Sequence, residues 1–336
     1  MISGIADRDI LLVSNPVSTQ ADLNREVIGH FNDLVGSRQC REIPTVGPEY
    51  EENVEYIARH IGAGVLVVAL GGDGQANIVA NAVIAASEES AEIASSVDLL
   101  VVPTGRTNDW SLSMYGQNLA KRRNLKRHLE RAQSQSLTTI RVEALADGHR
   151  SVRDAVGYFS VGASATIARQ YGQSAYREGR FKSGILNDMR DGLTMVRAFR
   201  EHQAFVYEDG AEPGSRALAH ELVWSAINRF GKVMRWDVDP QGPGIVGTEY
   251  GPGRLLPQVA GRVVSRGFYG GVMGTGMRGK PLNEERIFTI SPDTQTSSPL
   301  VHAQYDGEAE VVFPRTTFTV SERHKALSTL LVPKAA

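Results

Sequence analysis

The chain has a single cysteine, Cys40, in 336 residues. That excludes an internal disulfide and a cysteine-built metal site, and it fits a reducing compartment. Aromatic residues make up only 7%, and Trp110, Trp224 and Trp236 read as packing residues rather than as a stacking platform. No run approaches the roughly 20 apolar residues that a membrane span needs. The N-terminus lacks the basic-then-apolar pattern of a leader. Neither sign of charge dominates: 36 Lys and Arg against 38 Asp and Glu leave a net charge of -2, so there is no global electrostatic case for nucleic acid. Eight histidines include no His-Glu-x-x-His pair, and His220-Glu221 lacks the second ligand a zinc site would need. A Gly-x-Ser-x-Gly elbow and a Walker loop are both missing, which removes α/β-hydrolase and ordinary P-loop chemistry. No repeat or low-complexity segment is visible. What remains is a globular composition, 41% hydrophobic and 22% charged, in a length that predicts two domains. The expected location is the cytoplasm, free or peripheral to a membrane.

The stretch richest in information is Gly71-Gly72-Asp73-Gly74. The apolar run Val65 to Leu70 precedes it, and a helical stretch from Ala76 to about Ala86 follows. A buried strand, a glycine turn and a helix start therefore stand end to end. Such a turn suits phosphate, because glycine lets backbone N–H groups approach an anion and a helix N-terminus favours negative charge. Asp73 inside it calls for a cation or a hydrogen-bond donor nearby. An unliganded strand–helix turn accounts for these four residues alone equally well.

The same alternation runs through the first part of the chain. Asp9 to Asn15 reads as a strand ending at Asn15-Pro16. Leu23, Val27, Phe31 and Leu34 mark one helix face, and Gly36 stops that helix. Arg41 to Pro44 is a second strand, Glu51 to Ile61 a second helix, and Val97 to Val102 another strand, ending in Pro103-Thr104-Gly105. Strands alternating with helices predict a parallel sheet, with ligands beyond the carboxyl ends of the strands. Residues 120–131 hold six Lys or Arg, either a solvated helix face or a patch for anionic head groups or phosphates. From about Thr138 the pattern changes. Thr138 to Leu145 alternates, Asp147-Gly148 is a hairpin signal, and short strands follow: Val156 to Val161, Ala204 to Tyr207, Leu222 to Ile227, Arg262 to Ser265, Ile287 to Ile290, Val311 to Phe313, Thr317 to Val320 and Leu327 to Val332. A helix over Ile185 to Phe199 and the loops at Arg177 to Lys182 and Pro240 to Pro257 complete the reading. The expected fold is α/β plus all-β: residues 1–139 an α/β nucleotide-binding domain, residues 140–336 a β-sandwich-like domain, with the stretch from about 322 packing back on the first and a cleft between the two as the site.

Several blocks carry a resemblance. Asn15-Pro16-Val17-Ser18-Thr19 closes the first strand, Thr45 the second, Gly71-Gly72-Asp73-Gly74-Gln75-Ala76-Asn77-Ile78 the third. Pro103-Thr104-Gly105-Arg106-Thr107-Asn108-Asp109-Trp110 follows, and Asp306-Gly307-Glu308 comes after the strand-like Leu300 to Tyr305. In this order the blocks resemble the diacylglycerol kinase catalytic-domain family, which includes sphingosine kinases and is related to NAD kinases. The resemblance implies ATP bound through Asn15, Pro16, Ser18, Thr45, Gly71, Gly72, Asp73, Gly74, Gln75, Asn77, Gly105, Arg106, Thr107 and Asn108. It implies Mg2+ near Asp73, Asp306 as general base and Glu308 as its supporting carboxylate, acting on a lipid hydroxyl at a membrane surface. Gln75, Ile78, Thr19 and Arg106 depart from the family pattern, and Arg106 is a cation able to neutralise phosphate charge. By itself Asp306-Gly307-Glu308 is also an ordinary hairpin turn.

Three readings follow: an ATP-dependent kinase for diacylglycerol or a related lipid, an NAD kinase-like enzyme for a small molecule, and a nucleotide- or lipid-binding protein without turnover. The lipid kinase is preferred, because Asn15-Pro16 and the Asp306 block point to that branch. A homodimer is an open expectation; nucleic acid and a membrane-spanning segment are not expected.

Overall fold

The computed structural model describes residues 5, 8–16, 20–36, 39–47, 49–105, 108–162, 164–166, 168–169, 205–210, 214, 216–219, 221–227, 229–230, 234–235, 246–250, 280–282, 284–290, 301–312 and 315–333. The chain divides into two compact units, Met1–Thr139 with Arg323–Ala336, and Ile140–Glu322.

The first unit is an α/β layer structure. Its strands are β1 (Ile10–Ser14), β2 (Cys40–Pro44), β3 (Leu66–Gly71) and β4 (Asp98–Pro103). They pair in parallel in the order β2-β1-β3-β4. The end of a long C-terminal strand lies parallel to β4, with Thr329 opposite Leu99. The helices are α1 (Ala21–Val35), α2 (Tyr50–Ala58), α3 (Asp73–Glu89), α4 (Ala91–Ser96), α5 (Asp109–Tyr115) and α6 (Arg122–Leu129). Strands buried on both faces read as continuous apolar runs, which is why β1, β3 and β4 do not alternate. Ile10, Leu12, Leu66, Val68, Leu70, Leu100 and Val102 join one core with Val27 and Phe31 of α1 and Leu125 and Leu129 of α6. Their neighbours Leu11, Val13, Val67, Ala69, Leu99 and Val101 are equally buried, and α2 and α3 pack together with α3 against β3. The expected face of α1 is correct, and Gly36 at φ 98° ends it with its N–H on the Asn32 carbonyl. α3 begins at Asp73, three residues earlier than the apolar spacing indicates, because a first helical turn tolerates Gly74 when its N–H groups have other uses.

The second unit is antiparallel. The hairpin of β5 (Gln133–Ala146), a strand that starts in the first unit, and β6 (His149–Ala155) turns at Asp147-Gly148, both at positive φ as a type I′ turn requires. β7 (Tyr158–Gly162) pairs with β10 (Glu221–Ser225) and with β16 (Val301–Tyr305). β13 (Val246–Tyr250), β14 (Lys280–Pro281) and β17 (Glu308–Val312) extend this sheet to the order β14-β13-β10-β7-β16-β17. Opposite it, β8 (Phe205–Asp209), β9 (Arg216–Ala219), β15 (Arg286–Ile290) and the first part of β18 (Thr317–Leu331) form a second layer. β11 (Arg229–Phe230) and β12 (Met234–Arg235) are a small separate ladder. The core between the layers is an aromatic stack: Phe159 to Trp224 at 5.6 Å, Trp224 to Phe288 at 5.3 Å, and Phe288 to Phe318 at 5.2 Å between ring centroids. Trp110 and Trp224 are both packing residues.

Two strand assignments change. Thr317 to Val320 and Leu327 to Val332 are one strand of 15 residues, whose polar middle around Glu322 to Lys325 reads as a loop in sequence. Lys325 at φ 53° kinks it without ending it. The expected loop Pro240 to Pro257 contains a strand, β13, at Val246–Tyr250; the rest of that loop, with 177–182, 185–199, 262–265 and Trp236, lies outside the described residues. Among the described residues no helix is long and apolar enough to cross a membrane.

Candidate active site

Parallel pairing brings the ends of β1, β2, β3 and β4 to one sheet edge. Ser14 is opposite both Pro44 and Leu70, and Gly71 is opposite Pro103. Asn15, half-buried, and Thr45, whose N–H donates to the Ser14 carbonyl at 2.9 Å, therefore stand on the edge that carries the glycine turns. Gly72 is the N-cap of α3 and offers no side-chain acceptor to the first helical N–H groups. The backbone donors of Asp73, Gly74 and Gln75 have no intrahelical carbonyl to meet, which makes this 17-residue helix start a place for an anion.

Glycine here is required by closeness, not by positive φ. A Cβ on Gly105 would lie 2.3 Å from both Cα and N of Gly72, and one on Gly71 would lie 2.4 Å from Cβ of Gln75. The Thr104 N–H donates to the Gly71 carbonyl at 3.1 Å. The two turns are thus in backbone contact, and any larger residue at 105 drives them apart.

Asp73 locks them. Its carboxylate, 2% exposed, accepts the N–H of Asp109 at 3.1 Å on Oδ2 and of Trp110 at 3.0 Å on Oδ1. It caps α5 from another helix and gives an acid inside a phosphate-type turn its hydrogen-bond donors. Asn108 closes the loop before α5: its Oδ1 accepts the Gly105 N–H at 3.2 Å, and its Nδ2 donates to the Gly105 carbonyl at 2.7 Å. Asn77 is buried and accepts from the Tyr50 hydroxyl at 2.9 Å. Gln75 and Thr104 are buried, and among the described residues the Gln75 Nε2 and Thr104 Oγ1 have no hydrogen-bond partner. Both residues adjoin Gly71, so two unspent polar groups sit against the turn. The Thr104 hydroxyl was not foreseen; its place just before Gly105 is the only signal in sequence. Ser18, Arg106 and Thr107 lie outside the described residues.

The comparisons with known proteins bear on the part of the chain that carries this edge. Residues 9–144 match the diacylglycerol kinase catalytic domain. The expected resemblance is borne out for that span. No curated protein matches by sequence. Among solved structures, a proposed diacylglycerol kinase from Bacillus anthracis str. Sterne is 11% identical with a TM-score of 0.63, covering 98% of this chain and 99% of that one. Another structure of a diacylglycerol kinase from the same organism is 9% identical, with a TM-score of 0.57 over 98% of each chain. Yeast NADH kinase, solved with NADH, is 14% identical with a TM-score of 0.52, covering 98% of this chain and 84% of that one. At these identities the likeness is one of fold, and the α/β unit with an antiparallel unit is that fold.

Behind the sheet edge, α5 is held by its far end. The Tyr115 hydroxyl accepts the Val101 N–H at 3.1 Å and meets Thr329 Oγ1 at 3.4 Å, and burial pushes its pKa up to about 12. The Tyr115 ring lies edge-on to His128 of α6, 4.9 Å between centroids. His128 Nε2 stands 2.9 Å from the Leu330 carbonyl, which accepts, so Nε2 carries the proton. Burial lowers the His128 pKa, and its Nδ1 has no partner.

The Asp306 block lies beyond the matched span. Asp306 and Gly307 are the two loop residues of the β16–β17 hairpin, at φ 51° and 92°, with Tyr305 opposite Glu308. The hairpin reading is therefore correct in form, yet Asp306 does more. Fully buried, it accepts the N–H of Val156 at 2.7 Å on Oδ2, and of Gly157 at 2.8 Å and Tyr158 at 2.7 Å on Oδ1. Glu308 is exposed. The turn at Gly307 thus removes the two carboxylates from a common strand face.

One face of the β10-β7-β16 sheet carries polar side chains that no motif announces. Gln304 Nε2 donates to Ser160 Oγ at 2.9 Å and Ser164 Oγ at 2.8 Å. The Ser164 N–H and hydroxyl both donate to Glu221. His302 Nδ1 meets Thr166 Oγ1 at 2.9 Å, and its pKa is lowered by burial and then by the Arg169 charge. Ser160, Gln304 and His302 follow the period of two on their strands, but strand alternation alone does not say which face is polar. Among the described residues no three His, Cys, Asp or Glu side chains stand together as a metal site.

Proposed function

We propose that the chain is an ATP-dependent kinase that transfers the γ-phosphoryl group to the hydroxyl of diacylglycerol or a related lipid, at the cytoplasmic face of a membrane. The observation that carries this reading is the backbone contact of the Gly71 and Gly105 turns, closed by Asp73, at the carboxyl edge of a parallel sheet. Phosphoryl transfer asks the protein mainly for positioning and charge stabilisation. The N–H groups opening α3, the Gln75 carboxamide and the Thr104 hydroxyl fit the phosphates of ATP as neutral donors. Asn15, Pro16, Thr45, Gly105 and Asn108 shape the same edge, and Ser18, Arg106 and Thr107 belong to the same loops by sequence.

Magnesium would neutralise phosphate charge when the nucleotide is bound. The fit is partial: without a three-ligand cluster among the described residues, the ion would be held chiefly by phosphates and water, as is usual for Mg2+. Asp73, the acid of the glycine turn, is the side chain that would meet it. The roles of the later carboxylates divide in the same spirit. Asp306 acts as a positioning residue for the 156–158 backbone, and Glu308 is the exposed carboxylate suited to accept the hydroxyl proton.

The test is transfer of labelled γ-phosphoryl from ATP with Mg2+, offering diacylglycerol in mixed micelles or NAD in buffer. Labelled lipid supports the reading. Labelled NAD replaces it with the small-molecule kinase. Saturable ATP binding with neither product replaces it with a binding protein.

A further inference from the structure

We propose that α6 is a docking surface for anionic phospholipid head groups. Lys121, Arg122, Arg123, Lys126, Arg127 and Arg131 are all exposed, while Leu125, His128 and Leu129 bury the other side of the helix. Six cations against the single acid Glu130, within a chain of net charge -2, concentrate positive charge on one short element and leave the rest net negative. Among the described residues two of the six have acidic partners: Arg122 lies 3.4 Å from Asp33 and Lys126 lies 3.8 Å from Glu130. Lys121, Arg123, Arg127 and Arg131 have none among the described residues.

Folding alone would not choose this arrangement. The N-cap is Lys121, which offers no side-chain acceptor, and the first turn contains no acid. Arg122 and Arg123 therefore oppose the positive end of the helix dipole. Arg123 and Arg127, four apart, are a like-charge pair on the outer face, which weakens an isolated helix further. A segment that breaks several local rules at once, while its apolar side is well anchored, is the pattern of a functional surface.

The chemistry of the partner follows from what accompanies the charge. No exposed aromatic stands on α6 for bases to stack on, which argues against single-stranded nucleic acid. No exposed apolar residue stands there either, so the helix would rest at head-group level without insertion. Such attraction is screened within a Debye length and is lost in salt. The choice of a lipid bilayer over other polyanions rests on the lipid kinase reading above.

The experiment is flotation of the full chain with vesicles of phosphatidylcholine, with or without phosphatidylglycerol, and no ATP or diacylglycerol. The expected result is binding only with phosphatidylglycerol, abolished by high salt. Each neutralised cation should weaken it about 5-fold. Arg123→Gln with Arg127→Gln should therefore weaken it roughly 25-fold, and Arg123→Lys with Arg127→Lys should retain it. The Gln pair should unfold at the same temperature as the parent or higher, since it removes a repulsion. Equal binding to both vesicle types, binding unmoved by the Gln pair, or tighter competition by RNA than by phosphatidylglycerol would overturn the proposal. Phosphoryl transfer to a short-chain diacylglycerol in neutral detergent separates the two readings. Vesicle binding without transfer removes the kinase and keeps the docking surface; transfer without selective binding does the reverse.

Discussion

Asp73 Oδ1 accepts the backbone N–H of Trp110 at 3.0 Å, across 37 residues of chain and out of solvent. The acid of the glycine turn therefore fixes where the second turn ends and α5 begins. Asp73→Asn turns one acceptor oxygen into a donor that faces an N–H. A buried charge-assisted hydrogen bond contributes roughly 1.5–3 kcal/mol, so urea unfolding should show a loss of that order. If the two turns form the ATP site, kcat/KM should fall about 100-fold, as a displacement of the order of 1 Å can cause. Unchanged stability would show that the bond to Trp110 carries nothing.

Gly105 is tested by one methyl group. In Gly105→Ala the new Cβ would meet the Gly72 backbone at 2.3 Å, and backbone cannot rotate away as a side chain can. Overpacking costs typically about 1–3 kcal/mol, and here the relief is separation of the turns. ATP affinity should drop at least 10-fold while far-UV circular dichroism stays that of the parent. Gly116→Ala is the contrast: that glycine at φ 65° has open space around it, so its strain stays local to the end of α5 and should leave ATP affinity alone.

Asp306 and Glu308 should separate by what they disturb. Asp306→Asn loses acceptor capacity toward three backbone N–H groups, so it should lower both the unfolding temperature and the activity. Glu308→Gln sits exposed on the rim of the hairpin, so it should leave the unfolding temperature within a degree or two and lower kcat about 100-fold or more if Glu308 takes the hydroxyl proton. Full activity in Glu308→Gln with loss in Asp306→Asn at unchanged stability would return the base to Asp306.

How much of this was open to sequence depends on how far apart the partners lie. The strand–turn–helix at Gly71 and the turn at Gly105 are local patterns, and both were legible. So was the hairpin at Asp147-Gly148. The start of α3 was not, because Gly72 to Gly74 looks like loop when the cost of glycine in a helix is applied uniformly, although the first turn bears it lightly. In sequence β18 reads as two strands because Glu322 to Lys325 are polar, yet a strand with an open face can carry them. The duties of Asp73 and Asp306 rest on backbone N–H groups 36 and 150 residues away, and backbone donors have no sequence signature. For the same reason the Glu221–Ser164–Gln304 network was invisible: strand periodicity assigns faces only after the sheet partners are known.

The last prediction concerns pH. Burial lowers the pKa of His128 from its ordinary 6.5, so below that value the unfolded chain binds a proton that the folded chain resists. The sign follows: this contribution to stability is present above pH 6.5 and is lost as pH falls toward the folded value. The limiting slope for one proton is about 1.4 kcal/mol per pH unit. His128→Gln keeps an N–H donor for the Leu330 carbonyl and does not titrate. Carboxylates elsewhere weaken both proteins alike in acid, so the difference between them isolates the imidazole. From pH 7.5 to 5.5 the parent should lose more stability than the variant in urea unfolding, with the m-value unchanged. Parallel curves would mean that His128 takes up its proton in the folded state as readily as in water, through the Nδ1 that has no partner.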